Sequence, residues 1–245
     1  MIKKLAIILG VILGIPATPV FAANTPHNDQ DLVILVHGLA RNSTAMWLLE
    51  YRLETAGYNT CAINYPSLGE PADEILTVIS NEIERCQRRH LESPQTHFVT
   101  HSLGGPLIRA YLSAHHLSKL GRVVMLSPPN HGSDLVERFG DWEISRYFLG
   151  PTGLSLTGDH TSWLARKYKT PYDIGIIAGN FTFNPLAAYF LDGRDDGAVS
   201  IEDMKLPHMT DFMEVSATHV TIRYSLVAAD QTRYFLKNGQ FDYPR

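Results

Sequence analysis

Thr96-His97-Phe98-Val99-Thr100-His101-Ser102-Leu103-Gly104-Gly105 is the stretch on which the fold turns. Residues 96–99 read as a short strand that runs into Thr100-His101-Ser102, and residues 103–117 follow as a helix. A strand that stops at a serine and reverses at once into a helix needs small neighbours, and Gly104 supplies the trailing one. The leading position is Thr100, a departure from the G-x-S-x-G pattern. The junction also points a helix N-terminus at Ser102, where the helix dipole favours developing negative charge. Taken alone, the same serine could serve as a helix N-cap.

Working outward, the chain alternates strands and helices. Asp31-Leu32-Val33-Ile34-Leu35-Val36 is a continuous apolar run ending at His37-Gly38, the pattern of a strand buried on both faces of a parallel sheet. Ser43 or Thr44 is placed to cap a helix that ends near Gly57. Residues 58–63 form the next strand. Residues 72–90 have helical spacing, with Ile75, Val78, Ile79, Ile83 and Cys86 on one face. Strands follow at 121–126, 174–178 and 211–215, and a last helix at 225–236. The expectation is an α/β fold, a mostly parallel central sheet with helices on both faces, joined by right-handed crossovers. Ligands in such sheets bind at the carboxyl ends of the strands, where His37, Ser102, Ser127 and Asn130 fall.

The alternation stops from about residue 130 to 171, where Phe139, Trp142, Phe148, Leu154 and Trp163 stand among glycines and polar residues. An apolar insertion of this kind inside a compact domain is usually functional. It reads as a small cap or lid, with a peripheral helical pair as the alternative. Residues 1–22 read as a secretory signal peptide: Lys3 and Lys4, an apolar run over 5–15, then Val20-Phe21-Ala22 as the cleavage site. The run is shorter than the ~20 residues a membrane span needs. Residues 23–245 then read as one domain without a stable transmembrane segment, expected to be exported to a bacterial periplasm or beyond. Such a compartment permits a disulfide between Cys61 and Cys86, and closing that loop would contribute roughly 3 kcal/mol. Two buried free thiols are the alternative.

The formal net charge of −4, with both signs mixed along the chain, gives no basic tract for nucleic acid. Two further segments carry chemistry. Asp192-Gly193-Arg194-Asp195-Asp196-Gly197-Ala198-Val199 offers an acid in a glycine-rich turn, with Asp196 preferred over Asp195 and Asp192 behind both. It is a poor calcium loop, since Arg194 occupies a ligand position and no Glu stands at the twelfth, so no metal is expected. Glu214-Val215-Ser216-Ala217-Thr218-His219 puts a histidine just beyond the last strand; His208 is the rival. A serine hydroxyl needs a base, an acid that orients the base, and donors for an oxyanion. The chain has a candidate for each, in the order His37-Gly38-Leu39, Ser102, Asp196, His219.

On those segments the chain resembles the lipase/esterase branch of the α/β-hydrolase superfamily, over about residues 32–241. It is most similar to compact lipases that lack the first two strands of the larger fold. The resemblance implies Ser102, Asp196 and His219 as catalytic residues, and the Leu39 and Leu103 amides as the oxyanion hole. His37, Gly38 and His101 line the site, and no cofactor is needed. It implies hydrolysis of a small-molecule or lipid ester, with a hydrophobic acyl group suggested by the apolar insertion. Acyl transfer to another acceptor, amidase or thioesterase activity, and a non-catalytic binding protein on the same fold are the alternatives.

Overall fold

The computed structural model describes residues 30–131, 171–183, 191 and 193–243. Six strands form one sheet: β1 Leu32–Val36, β2 Asn59–Ile63, β3 Thr96–His101, β4 Leu120–Leu126, β5 Ile174–Gly179 and β6 Asp211–Val215. Their order is β2-β1-β3-β4-β5-β6, and every neighbouring pair is parallel. The helices are α1 Trp47–Thr55, α2 Ala72–Arg89, α3 Gly104–Ala114, α4 Ile201–Met204 and α5 Leu226–Asn238. This is the α/β class expected from the alternation.

The unbroken apolar run of β1 now has its cause. Successive side chains of a strand point to opposite faces. Leu32, Ile34 and Val36 enter a core with Ile75, Ile79 and Ile83 of α2 and Leu107 and Ile108 of α3. Val33 and Leu35 enter the opposite core with Leu49 and Leu53 of α1 and Ala228, Ala229 and Phe235 of α5. Every β1 residue is therefore buried. α1 and α2 lie on opposite faces because the chain steps from β1 outward to β2 and then back across β1 to β3. Right-handed crossovers place the two connecting helices on opposite sides when the direction of travel reverses.

That reversal opens a crevice at the carboxyl ends of β1 and β3. The register pairs Val36 with Thr100, so Gly38 and Ser102, each two residues further on, leave the sheet side by side. The elements depart from the sequence reading in small ways. The residue that caps the turn before α1 is Asn42, whose side chain accepts the Thr44 N–H, not Ser43 or Thr44. α3 stops at Ala114, where the His115 N–H closes on the Tyr111 carbonyl, short of residue 117. The one-turn helix α4 was not anticipated; four residues are too few to show a helical period, although Ser200 caps it through the Asp203 N–H.

Cys61 on β2 and Cys86 on α2 are joined by a disulfide, with Cα atoms 5.9 Å apart. It ties an edge strand to the helix that covers it. The segments read as a signal peptide (1–22) and as the body of the insertion (132–170) lie outside the described residues, as does Asp192. Among the described residues no helix is long and apolar enough to cross a membrane.

Candidate active site

Ser102 sits at the end of β3 with φ of 53°, in the left-handed region that ordinary side chains avoid. The turn is held from both sides: its N–H donates to the Leu126 carbonyl at 2.9 Å, and its own carbonyl accepts the Gly105 N–H at 2.9 Å. Two glycines make room for it. A Cβ on Gly38 would stand 2.8 Å from the Ser102 Cβ, and one on Gly104 would stand 2.7 Å from the Val36 carbonyl oxygen. The first turn of α3 and the loop after β1 are thus pressed against each other around the serine. Thr100, at the leading position of the turn, is small enough to be fully buried there.

His219 follows β6. Its Nε2 lies 2.9 Å from Ser102 Oγ and its Nδ1 lies 2.8 Å from Asp196 Oδ2. The backbone repeats the link, with the His219 N–H donating to the Asp196 carbonyl at 2.8 Å. On the other Asp196 oxygen, Oδ1 accepts the N–H groups of Ala198 at 3.1 Å and Val199 at 2.9 Å. Burial alone would push the Asp196 carboxyl up. The His219 imidazole beside it, the Val199 N–H and the Ser127 hydroxyl outweigh burial and hold the carboxyl below the usual carboxylate range.

The adjacent Asp195 turns the other way. Its carboxylate accepts the Gly197 N–H at 2.7 Å, closing its own turn, and burial holds its pKa above the usual value. His208, the rival histidine, is exposed in the loop before β6, at the end of that strand away from His219. The structure therefore brings Ser102, His219 and Asp196 into one hydrogen-bonded chain and leaves Asp195 and His208 out of it. His37 is buried: it stacks on Tyr65 with centroids 4.1 Å apart, and burial lowers its pKa. The Tyr65 hydroxyl donates to the His37 carbonyl, which fixes the loop that leads to Gly38 and Leu39.

The sequence places Ser127 only among the residues at strand ends and gives Arg223 no role. Ser127 follows β4 with φ of 48°; its hydroxyl accepts the Gly179 N–H at 3.2 Å and bonds the Asp196 carboxylate. Its position just past a strand end was the available signal. Arg223 is buried in the 3-10 turn after His219, and its charge is felt by His101. Nothing local in the sequence marks it.

An all-parallel sheet whose order reverses beside a strained strand-to-helix serine defines the architecture of an α/β hydrolase. A family model described as alpha/beta hydrolase fold matches residues 31–170, and the chain belongs to that family. The fold is shared with the mature form of BlEst2, a Bacillus licheniformis lipase: TM-score 0.72, 19% identity, 87% of this chain and 94% of that one. It is also shared with the metagenomic carboxyl esterase MGS0156, at TM-score 0.60, 14% identity, 87% of this chain and 75% of that one. The Legionella pneumophila phospholipase PlaB is similar at TM-score 0.57 and 19% identity, over 72% of this chain and 46% of that one. No curated protein sequence matches the chain.

Proposed function

We propose that the chain is a serine hydrolase that cleaves carboxylic esters through an acyl-enzyme, with Ser102 as nucleophile, His219 as general base and Asp196 as the acid that orients it. The observation that carries this reading is the continuous hydrogen-bond chain from Ser102 Oγ through both ring nitrogens of His219 to Asp196. Asp196 accepts from Nδ1–H, which leaves Nε2 as the lone pair facing the hydroxyl. As Ser102 Oγ attacks the ester carbonyl, its proton passes to Nε2, and the imidazolium that forms is stabilised by the buried carboxylate. The Leu103 N–H at the head of α3 and the Leu39 N–H beyond Gly38 receive the oxyanion, each donor being worth about 3 kcal/mol in the transition state. The tetrahedral intermediate collapses as Nε2–H protonates the leaving alkoxide. Water, deprotonated by the same nitrogen, then releases the acid and restores Ser102.

An ester rather than another acyl bond is supported by what the similar structures are called: a lipase, a carboxyl esterase and a phospholipase. A hydrophobic acyl group is supported by the rim. Phe181 and Phe183 follow β5, stand 41% and 82% exposed, and pack edge to face with centroids 4.6 Å apart. The Phe181 N–H bonds the Ala217 carbonyl, two residues before His219. Export is supported by the signal-like residues 1–22 and by the Cys61–Cys86 disulfide, since disulfides persist mainly in oxidising compartments.

The test is covalent labelling by a fluorophosphonate probe together with turnover of p-nitrophenyl esters of increasing acyl length. The wild type is labelled and hydrolyses the esters; Ser102→Ala is folded, unlabelled and inert. Labelling or turnover that survives in Ser102→Ala refutes the nucleophile assignment.

A further inference from the structure

His101, the residue before the serine, holds a place that the mechanism above does not use. It is fully enclosed at the end of β3, and its Nε2 lies 2.7 Å from the His219 backbone carbonyl. A carbonyl only accepts, so Nε2 carries the proton and Nδ1 is the bare nitrogen. Nδ1 has no hydrogen-bond partner. It lies under the loop after β1, where a Cβ on Gly38 would be 3.1 Å from it. The ring centroid stands 5.1 Å from that of His219. One side chain thus touches the loop carrying Leu39, the strand end carrying Ser102 and the loop carrying the base.

We propose that His101 is a positioning residue that sets where the His219 imidazole stands, by donating Nε2–H to the His219 carbonyl while its ring keeps the Gly38 loop at a fixed spacing. This inference rests on the reading of Ser102 and His219 as nucleophile and base. With the bond made, the His219 main chain is pinned at both ends: its N–H by the Asp196 carbonyl, its carbonyl by His101. The imidazole can then turn only about its own side-chain bonds, between Asp196 and Ser102.

His101 must also stay neutral for this to work. A second proton would sit on Nδ1, where no acceptor waits, beside the imidazolium that forms on His219 in each turnover. Burial first, and then the nearby His219 and Arg223, push its pKa down to about 3, with Asp196 and the His219 carbonyl opposing. His101 therefore remains an uncharged donor throughout the working range.

The test compares His101→Gln, His101→Asn and His101→Phe by kcat, KM and melting temperature. The amide nitrogen of Gln reaches the place of imidazole Nε2; that of Asn falls one methylene short; Phe keeps the ring and removes the donor. The expected result is that Gln retains kcat within about threefold, while Asn and Phe lose roughly 10- to 100-fold, because small misplacements of a reacting group cost that much. KM changes little in all three, since the loss is of transition-state geometry. If Phe fails to fold, the Gln–Asn contrast decides. Equal kcat in Gln and Asn, with equal melting temperatures, overturns the proposal. A wild type that neither labels nor hydrolyses esters sinks the underlying hydrolase reading instead, which is a separate result.

Discussion

Replacing Asp196 by Asn tests the site more sharply than removing the serine does, because it changes one atom and predicts a particular failure. Asn keeps the volume, and its Oδ1 can still accept the Ala198 and Val199 N–H groups that Asp196 accepts at 3.1 and 2.9 Å. The amide NH2 then faces His219 Nδ1, 2.8 Å away in the native site. A donor there forces Nδ1 to become the acceptor and moves the ring proton to Nε2. Nε2–H then points at Ser102 Oγ across 2.9 Å and cannot take its proton. The structure is retained and the tautomer is wrong. The expected fall in kcat is about 10⁴, the size seen when a triad acid is replaced by its amide elsewhere, or about 5.5 kcal/mol of lost transition-state stabilisation. The assay is ester turnover, with the folded fraction verified by circular dichroism. A second readout carries the opposite sign. The Asp196 carboxyl is held below its unfolded value, so its ionised form stabilises the fold above about pH 4. That contribution is lost as pH falls through the lowered value. Asn does not titrate, so the urea midpoint of the variant should fall less steeply with acid than that of the wild type. A kcat within tenfold of wild type, or identical acid dependence of stability, would refute the reasoning.

Gly38→Ala should cost at least about 10-fold in kcat with modest loss of stability, because the new methyl would meet the Ser102 Cβ at 2.8 Å and must displace either the serine or the Leu39 amide. Steady-state kinetics beside a thermal melt separate the two effects, and unchanged kcat would show that the loop moves freely. Cys61→Ser combined with Cys86→Ser should lower stability by roughly 3 kcal/mol and the melting temperature by roughly 6–12 °C. Activity at 25 °C should persist, because the disulfide joins β2 to α2 and neither carries a residue of the Ser102–His219–Asp196 chain.

The sheet was legible in the chain because burial on two faces leaves a one-dimensional trace. Residues 32–36 are apolar without interruption because a parallel strand between two helical layers has no wet side. The helix over 72–90 shows its apolar face at helical spacing for the same reason. The serine turn was legible because its constraint is local: a left-handed backbone at Ser102 demands small neighbours within two residues. Other questions were settled only across distance. Asp195 and Asp196 are adjacent and chemically alike. Which of them faces His219 depends on how β5 and β6 hold the two loops, and the neighbouring Asp195 closes its own turn instead. The bond from His101 to the His219 carbonyl spans residues 118 apart, and that from Ser127 to Asp196 joins the end of β4 to the loop between β5 and β6. No period or composition encodes such contacts. Local sterics and burial set the elements and the serine; only the packing of the sheet decides which polar groups meet at its edge.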